Sequence, residues 1–333
     1  MLKKILTTLL LLGAMHSQAQ EVIRQVPRLT VVEEFTGVNC SWCSRGWVGM
    51  GLVKHERADK ACVIAWHKYK ATDPMYIDNY ANFGTVSYPK CCIDRRLTTD
   101  PHDGEDHHGI LYEVDQINQE LPTVEVQIEA SYTDENKTQV TITAHTEFLT
   151  DAEGYTIAFA LTADSLAGAK RVWWQANAYA SYEPDFVDND PLLSPLCRGG
   201  ELGDSQIKVV YDDVLIGSTY GTNGLTTLPA FDSHLAGEFQ TTTGIIDMPV
   251  SETLLTAILF HKVYATALVI DNHGKIANAA RCRVLMPGES AIEQITSITQ
   301  TTSREFYDLQ GRTADNNKTG LTIRNGKVVW IKQ

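Results

Sequence analysis

Two cysteines three positions apart, Cys40 and Cys43, are the residues of this sequence best suited to chemistry. They lie in the stretch FTGVNCSWCSRGW, after a run of β-forming residues and before a segment with helix-like spacing. Such a pair can be a redox-active dithiol, part of a metal site or a structural disulfide. The start of a helix favours thiol exchange, because its free N–H groups and dipole stabilise a thiolate. We therefore favour a redox pair and keep the other two readings as alternatives.

Other side chains are candidates to act with this pair. Glu34 precedes Cys40 by six positions on the preceding strand, from which its carboxylate could accept a proton from the second sulfur. His67 ends the next strand, at the sheet edge where α/β sites usually form, although a histidine held by ordinary hydrogen bonds is the commoner case. In the metal alternative, His67 would bind an ion together with the two cysteines. Cys91 and Cys92 point to opposite faces of a strand, so only one of them could approach the pair.

The segments around the pair alternate between strand-like and helix-like patterns. Residues 28–35, 61–69 and 90–94 have the apolar, β-branched character of strands. Residues 40–59, 73–83 and the stretch GILYEVDQINQEL have helix-like patterns, the first weakened by three glycines. The order strand, helix, strand, helix, strand, helix predicts an α/β sheet.

From residue 123 the hydrophobic period changes to two, which is typical of strands with one buried face. The stretch around TDENK predicts a hairpin, and YTIAFALTA, IKVVYDDVLI, TAILFHKVYATALVI and KIANAARCRVL predict further strands. The second region is therefore expected to be a β-sandwich. The proline-containing stretch 173–203 has no pattern from which a fold can be predicted.

The first 19 residues have the features of a secretory signal peptide: two lysines, an apolar run at 5–14 and the small-x-small site SQA. No later segment is apolar for the roughly 18 residues that a membrane-spanning helix needs. The formal charge of -13 argues against binding to nucleic acid or to an anionic membrane. The chain is thus expected to be exported to the periplasm, outer membrane or surface of a Gram-negative bacterium.

Four stretches together resemble a known family: VVEEFTGVNCSWCSRG, VIAWHKYKATDPMY, SYPKCCIDR and, more loosely, GKIANAARCRV. The first three resemble the thioredoxin fold, and the set looks like the Bacteroidota family called outer-membrane protein twenty-eight related. The resemblance implies an α/β plus all-β protein, with a thioredoxin-like domain at 20–121, a β-sandwich domain at 122–288, a linker at 289–302 and a sorting-signal-like β module at 303–333. It implies peripheral association with the outer membrane or cell surface. Ser44 departs from it, because such proteins often have proline there.

The thioredoxin resemblance also implies roles for individual residues. Cys40 would be the attacking thiol, Cys43 the resolving thiol and Glu34 the counterpart of a buried acid. Pro89 would form a cis peptide bond facing the pair and present the backbone of Tyr88 to an extended partner chain. The expected substrate-binding residues are Trp42, Tyr88 and His67.

The expected partner is a protein that carries a thiol or a disulfide, and no cofactor or metal is predicted. The alternative function is a non-enzymatic outer-membrane or surface binding protein in which the CxxC disulfide is structural.

The remaining cysteines are assigned less directly. In thioredoxin topology a whole strand separates Cys62 from Cys91 and Cys92, beyond the reach of a disulfide, so Cys62 should be a buried free thiol. Cys197 and Cys282 are expected to pair in an oxidising compartment.

Overall fold

The structure is a computed structural model of the 333-residue chain. It describes residues 25–289 apart from 79, 82, 85, 221–227, 232–233, 250 and 259–261, together with four short strands of the tail. The predicted signal peptide, and all but the first residue of the predicted linker, lie outside the described residues.

The first region is built around two parallel, fully buried strands, β1 (Thr30–Thr36) and β2 (Ala61–His67). On the other side of β1 run two antiparallel strands, β3 (Lys90–Ile93) and β4 (Leu97–Thr99). Helix α1 (Ser44–Glu56) follows β1, and helix α2 (Ile110–Asn118) follows β4. Both helices contribute to a core that also contains β1, β2 and β3. β1 therefore lies between β2 and β3, so a whole strand separates Cys62 from Cys91 and Cys92, as expected.

The helix predicted for residues 73–83 is wrong, because its described residues form turns and irregular backbone. The two oxygens of the Asp73 carboxylate accept hydrogen bonds from the backbone N–H groups of Val38 and Met75. The indole of Trp66 donates to the carbonyl of Ile77 at 2.8 Å. Such side-chain to backbone bonds compete with the bonding pattern of a helix.

The second region consists largely of strands, as its period-two pattern predicts. The longer strands are β5 (Val124–Tyr132), β6 (Gln139–Phe148), β7 (Thr156–Ala163), β10 (Val214–Ser218), β11 (Phe239–Asp247), β12 (Val263–Ile270) and β13 (Ile276–Arg283). Two short ones, β8 (Gln175–Ala176) and β9 (Gln206–Ile207), pair with each other. The stretch TAILFHKVYATALVI is only partly strand, because helix α3 (Glu252–Ile258) occupies its beginning.

Two sheets of this region share a hydrophobic core. Strands β5, β6 and β11 form a three-stranded sheet whose inward residues include Val126, Ile142 and Ile246. These residues belong to the same core as Phe159 of β7 and Ala267 of β12. The predicted β5–β6 hairpin is confirmed.

The two regions are joined by one eight-stranded mixed sheet with the order β13-β12-β7-β10-β2-β1-β3-β4. The connection is parallel pairing of β10 with β2, where Val214 lies beside Ala65 and the Ala65 N–H donates to the Asp213 carbonyl at 2.9 Å. The predicted boundary at 121–122 therefore separates segments whose strands belong to the same sheet. The protein is a sheet-rich α/β protein with three α-helices in its described part.

The tail forms a separate four-stranded sheet in the order β15-β14-β16-β17. Its strands are β14 (Phe306–Tyr307), β15 (Thr313–Ala314), β16 (Gly320–Arg324) and β17 (Lys327–Ile331). Within the described part of the chain, no helix is long and apolar enough to cross a membrane.

Candidate functional site

Cys40 and Cys43 form a disulfide at the beginning of α1, with Cα atoms 5.3 Å apart. A 3-10 turn, Ser41–Cys43, connects β1 to the helix, and Cys43 is the residue immediately before α1. The predicted strand, CxxC and helix order is thus confirmed. Both cysteines are buried, Cys40 at 4% exposure and Cys43 at 0%, whereas Trp42 between them is 38% exposed.

Glu34 lies in β1, beneath the first turns of α1. A Cβ placed on Gly46 would overlap the Glu34 carboxylate and would come within 3.3 Å of Pro89, so these three residues are in close contact. Gly46 is three residues after Cys43 and therefore lies on the same side of the helix. The site thus brings Glu34 and Pro89 to the helix that the disulfide opens.

The Glu34 carboxyl group is 3% exposed, and its Oε1 atom has no hydrogen-bond partner. Burial raises its pKa to about 7, although the nearby His67 and a hydrogen bond from Thr36 both act to lower it. A carboxyl group with such a pKa can accept and release a proton near neutral pH.

His67 ends β2 beside Thr36, at the sheet edge that also holds the CxxC motif. It is 1% exposed, its Nδ1 lies 2.9 Å from the Asp73 carboxylate, and Tyr211 contacts it edge-on at 5.4 Å. Because Asp73 also accepts from the Val38 N–H, His67 belongs to the network that holds the segment before Cys40. No group of three or more His, Cys, Asp or Glu side chains that could hold a metal ion occurs among the described residues.

The peptide bond between Tyr88 and Pro89 is cis, as the resemblance implies. The Tyr88 ring is half-buried and contacts Tyr69 edge-on at 5.4 Å.

The stretch 173–203, here called the covering segment, lies over the CxxC motif. The side-chain amide of Gln175 donates to the Cys40 carbonyl at 2.8 Å, and the Ala178 N–H donates to the Ser41 carbonyl at the same distance. The covering segment is therefore bonded to the backbone of the CxxC motif, in which both cysteines are buried.

Hydrogen bonds of Asn177 hold the covering segment in place. The Ser44 hydroxyl donates to the Asn177 side-chain oxygen at 3.2 Å, and the Asn177 amide donates to the carbonyls of Leu196, Leu202 and Asp204. Ser44, which departs from the family pattern, is thus a contact residue of this segment. Sequence reasoning missed this role because Ser44 and Asn177 are 133 positions apart and no local pattern relates them.

A cavity of about 340 Å³ adjoins the site between α1 and residues 192–213. Glu34 and His67 form part of its wall, and Trp47, Leu52, Pro195 and Tyr211 provide apolar lining. Its volume is within the range of small-molecule pockets.

The other five cysteines are free. Cys62 is a buried free thiol, as predicted. Cys91 pairs in register with Glu34, and its thiol donates to the Thr99 carbonyl at 3.6 Å. Burial raises the thiol pKa of Cys62, to about 12, and also that of Cys91, which makes both poor nucleophiles.

The expected pairing of Cys197 with Cys282 is wrong, because both are free thiols. Cys197 is buried in the covering segment, with its sulfur 3.9 Å from the Leu193 carbonyl. Cys282 lies opposite Ala265, on the outermost strand of the large sheet.

Comparison with known proteins gives only distant likenesses. No protein-family model matches the chain, and no curated protein matches it. Among solved structures, HBP35 of Porphyromonas gingivalis is 11% identical, with a TM-score of 0.48, over 92% of this chain and 98% of that one. A structural-genomics target protein from Agrobacterium tumefaciens is 14% identical, with a TM-score of 0.39, over 79% of this chain and 96% of that one. TM-scores below 0.5 establish neither fold nor function, and the family resemblance stays a prediction.

Proposed function

We propose that this protein is an exported, thioredoxin-like protein of the bacterial cell envelope that exchanges its Cys40–Cys43 disulfide with the thiols of a partner protein. The observation that carries the proposal is the disulfide at the start of α1, on a helix that rests on a buried carboxyl group with a pKa of about 7. The signal-like first 19 residues support export. Membership of the outer-membrane protein twenty-eight related family is part of this proposal.

The exchange starts from the disulfide form. A thiolate of the partner attacks the Cys40 sulfur, the Cys40–Cys43 bond breaks, and Cys43 leaves as a thiolate that takes a proton from Glu34. A second partner thiolate then attacks the partner's own sulfur in the mixed disulfide, and Cys40 leaves as a thiolate. The partner is thereby oxidised to a disulfide, and the pair is left reduced, with Cys40 as a thiolate and Cys43 as a thiol. In the reverse direction, Glu34 accepts the proton of Cys43 before Cys43 attacks the mixed disulfide.

Access to the pair requires movement of the covering segment, because only 4% of Cys40 is exposed. The hydrogen bonds from Gln175 to the Cys40 carbonyl and from Ala178 to the Ser41 carbonyl are among those that such a movement must break. Trp42 and Tyr88 remain the expected contacts of the partner chain beside the pair, and Pro89 the residue that shields it. His67 is buried and would reach a partner only after the same movement.

The test is thiol alkylation against pH in reduced Cys40→Ser and Cys43→Ser proteins, together with reduction of a model protein disulfide by the wild type. We expect the thiol of Cys40 to alkylate faster at neutral pH, because it is at the helix start and Cys43 is fully enclosed. Cys282→Ser is the matched control, since it removes a cysteine far along the chain and should leave the reduction rate unchanged. Faster alkylation of Cys43 would reverse the two roles. Exchange would be rejected if the disulfide form failed to oxidise a model dithiol and the reduced form failed to reduce the model disulfide.

The second candidate is a non-enzymatic surface binding protein with a structural disulfide. The burial of both cysteines beneath the covering segment favours it. In that case the disulfide should resist a mild dithiol under conditions in which the folded protein is otherwise intact, and denaturation should be needed to reduce it.

A further inference from the structure

An exposed group of aromatic rings lies directly beside the disulfide. Trp42 is 38% exposed, Tyr182 37% and Phe186 50%, and together they are called the aromatic surface here. The rings of Tyr182 and Phe186 are stacked with centroids 4.0 Å apart, and Trp42 lies 6.0 Å from Tyr182 and 6.3 Å from Phe186. The buried Tyr179 supports Trp42 edge-on at 5.3 Å. The covering segment and the CxxC motif thus build one surface that neither forms alone.

Within the part of the chain that the structure describes, no lysine or arginine side chain lies over the faces of these three rings. Other aromatic residues do: Trp174 has Lys208 at 4.7 Å and Arg171 at 5.7 Å from its ring centroid. A cation over an aromatic face gains electrostatic attraction from the ring quadrupole. The aromatic surface therefore has an unused capacity for a cation.

The charges around the aromatic surface are mostly negative. Glu183 is paired with Arg198 at 3.1 Å, which neutralises it. Asp185 and Asp188 are exposed, and no side-chain hydrogen bond or ion pair holds either of them in the described structure. Aromatic faces bordered by free carboxylates are complementary to a positively charged, partly apolar group, and arginine and lysine side chains have this character.

We propose that the aromatic surface binds an extended protein segment that carries arginine or lysine, with the cation over Phe186 and Tyr182 and near Asp185 and Asp188. Trp42 is between the two cysteines, so a segment bound here lies beside the disulfide. That this segment flanks the cysteine to be exchanged rests on the proposed function. Binding of the cationic segment itself does not require exchange.

The experiment measures binding of a short, cysteine-free peptide with two arginines to the full chain in its disulfide form, by calorimetry at low and at moderate salt. The matched ligand has citrulline in place of each arginine, which keeps the shape and removes the charge. We expect the arginine peptide to bind about fivefold or more tightly than the citrulline peptide, with the difference falling as salt rises.

Protein variants separate the two parts of the surface. Phe186→Leu keeps apolar volume and loses the ring, and it should weaken the arginine peptide about two- to fivefold. Asp185→Asn with Asp188→Asn should weaken it and reduce its salt dependence. The controls are Phe239→Ala, an aromatic residue at 73% exposure on β11, and the exposed Glu153→Gln, neither of which should change binding.

Equal binding of the arginine and citrulline peptides, full retention of binding in Phe186→Leu, or binding of a neutral oligosaccharide in place of the peptide would overturn the inference. The proposed function is judged separately, by reduction of a model protein disulfide. A protein that reduces the disulfide but does not distinguish the peptides retains exchange and loses this inference. A protein that distinguishes the peptides without reducing the disulfide retains the binding surface and loses exchange.

Discussion

Glu34 combines full burial with an unbonded carboxylate oxygen, Oε1, next to the helix that carries the disulfide. Its neighbour Glu33 on the same strand is equally buried but faces the other side of the sheet, where Arg95 pairs with it at 2.8 Å. Adjacent strand residues point to opposite faces, so two consecutive glutamates have different environments. Burial raises the pKa of the Glu34 carboxyl group.

This raised pKa predicts a pH dependence of stability. Between pH 4.5 and about 7 the unfolded chain ionises this carboxyl group while the folded protein keeps it protonated, so stability falls as pH rises through this window. In Glu34→Gln the side chain resembles the neutral carboxyl group and cannot ionise, so this fall in stability should be absent. The free energy of unfolding of the variant minus that of the wild type should therefore increase by about 3 kcal/mol between pH 4 and pH 8.

Urea unfolding of both proteins at several pH values measures this difference. A constant difference between wild type and Glu34→Gln across the range would show that Glu34 ionises normally. The pH profile of model-disulfide reduction should also lose its inflection near 7 in Glu34→Gln, if Glu34 is the proton acceptor.

Helix α1 shows how an element is shaped by its neighbours. Its three glycines, at 46, 49 and 51, lower the intrinsic stability of the helix. Two of them allow neighbouring residues to pack closely against the helix backbone. A side chain on Gly46 would overlap Glu34, and one on Gly49 would overlap the Pro101 carbonyl. Gly51 has open space around its missing side chain. Glycine is thus required by packing at positions 46 and 49 of this helix but not at position 51.

Alanine at these positions should therefore have opposite effects. Gly51→Ala should stabilise the protein by about 0.5 to 1 kcal/mol, the gain from replacing glycine in a helix interior. Gly46→Ala should destabilise it by about 1 to 3 kcal/mol, because the new methyl group must displace Glu34 or shift the helix. Thermal unfolding of the two variants measures both changes, and a stabilised Gly46→Ala protein would contradict the described contact.

Over the whole molecule, a cluster of charges joins α1 to the second region. Lys54 of α1 contacts the carboxylates of Asp164 at 2.7 Å and of Asp212 and Asp213 at 3.3 Å. Arg281 of β13 also pairs with Asp213, whose side chain is 3% exposed. Burial raises the pKa of Asp213, while Arg281 and Lys54 oppose that rise. The helix that carries the disulfide is thus tied to residues beside the ends of β7 and β10, far along the chain.

Removing Lys54 should weaken the whole protein. Lys54→Met keeps the apolar stem and leaves Asp213 with one cation, so we expect a loss of about 2 kcal/mol in free energy of unfolding at pH 7. The partial exposure of Lys54, at 23%, makes the loss smaller than for a fully buried pair.

Lys60→Met is the control for this change, since Lys60 is exposed and should alter stability by less than about 0.5 kcal/mol. Urea unfolding compares the two variants. Equal stability of Lys54→Met and Lys60→Met would mean that the cluster contributes nothing to stability.

The sequence by itself determined the elements whose signals are local. A β-branched run before Cys40 predicted β1, the helix-like spacing after it predicted α1, and strict alternation from residue 124 predicted the β5–β6 hairpin. These patterns depend on residues within a few positions of one another, and burial on one face preserves them in the folded chain. The presence of Glu34 on the strand before the pair is a fact of the same kind.

Only the tertiary structure decided what surrounds the pair. The contact of Gln175 with Cys40, the pairing of β10 with β2 and the approach of Glu34 to Gly46 join segments that are distant in the chain or on different elements. The failed helix at 73–83 has the same origin, because Asp73 bonds to Val38, 35 positions earlier. The raised pKa of Glu34 follows from the burial that these contacts create. Desolvation depends on everything packed around a group, and no periodicity in the chain encodes it.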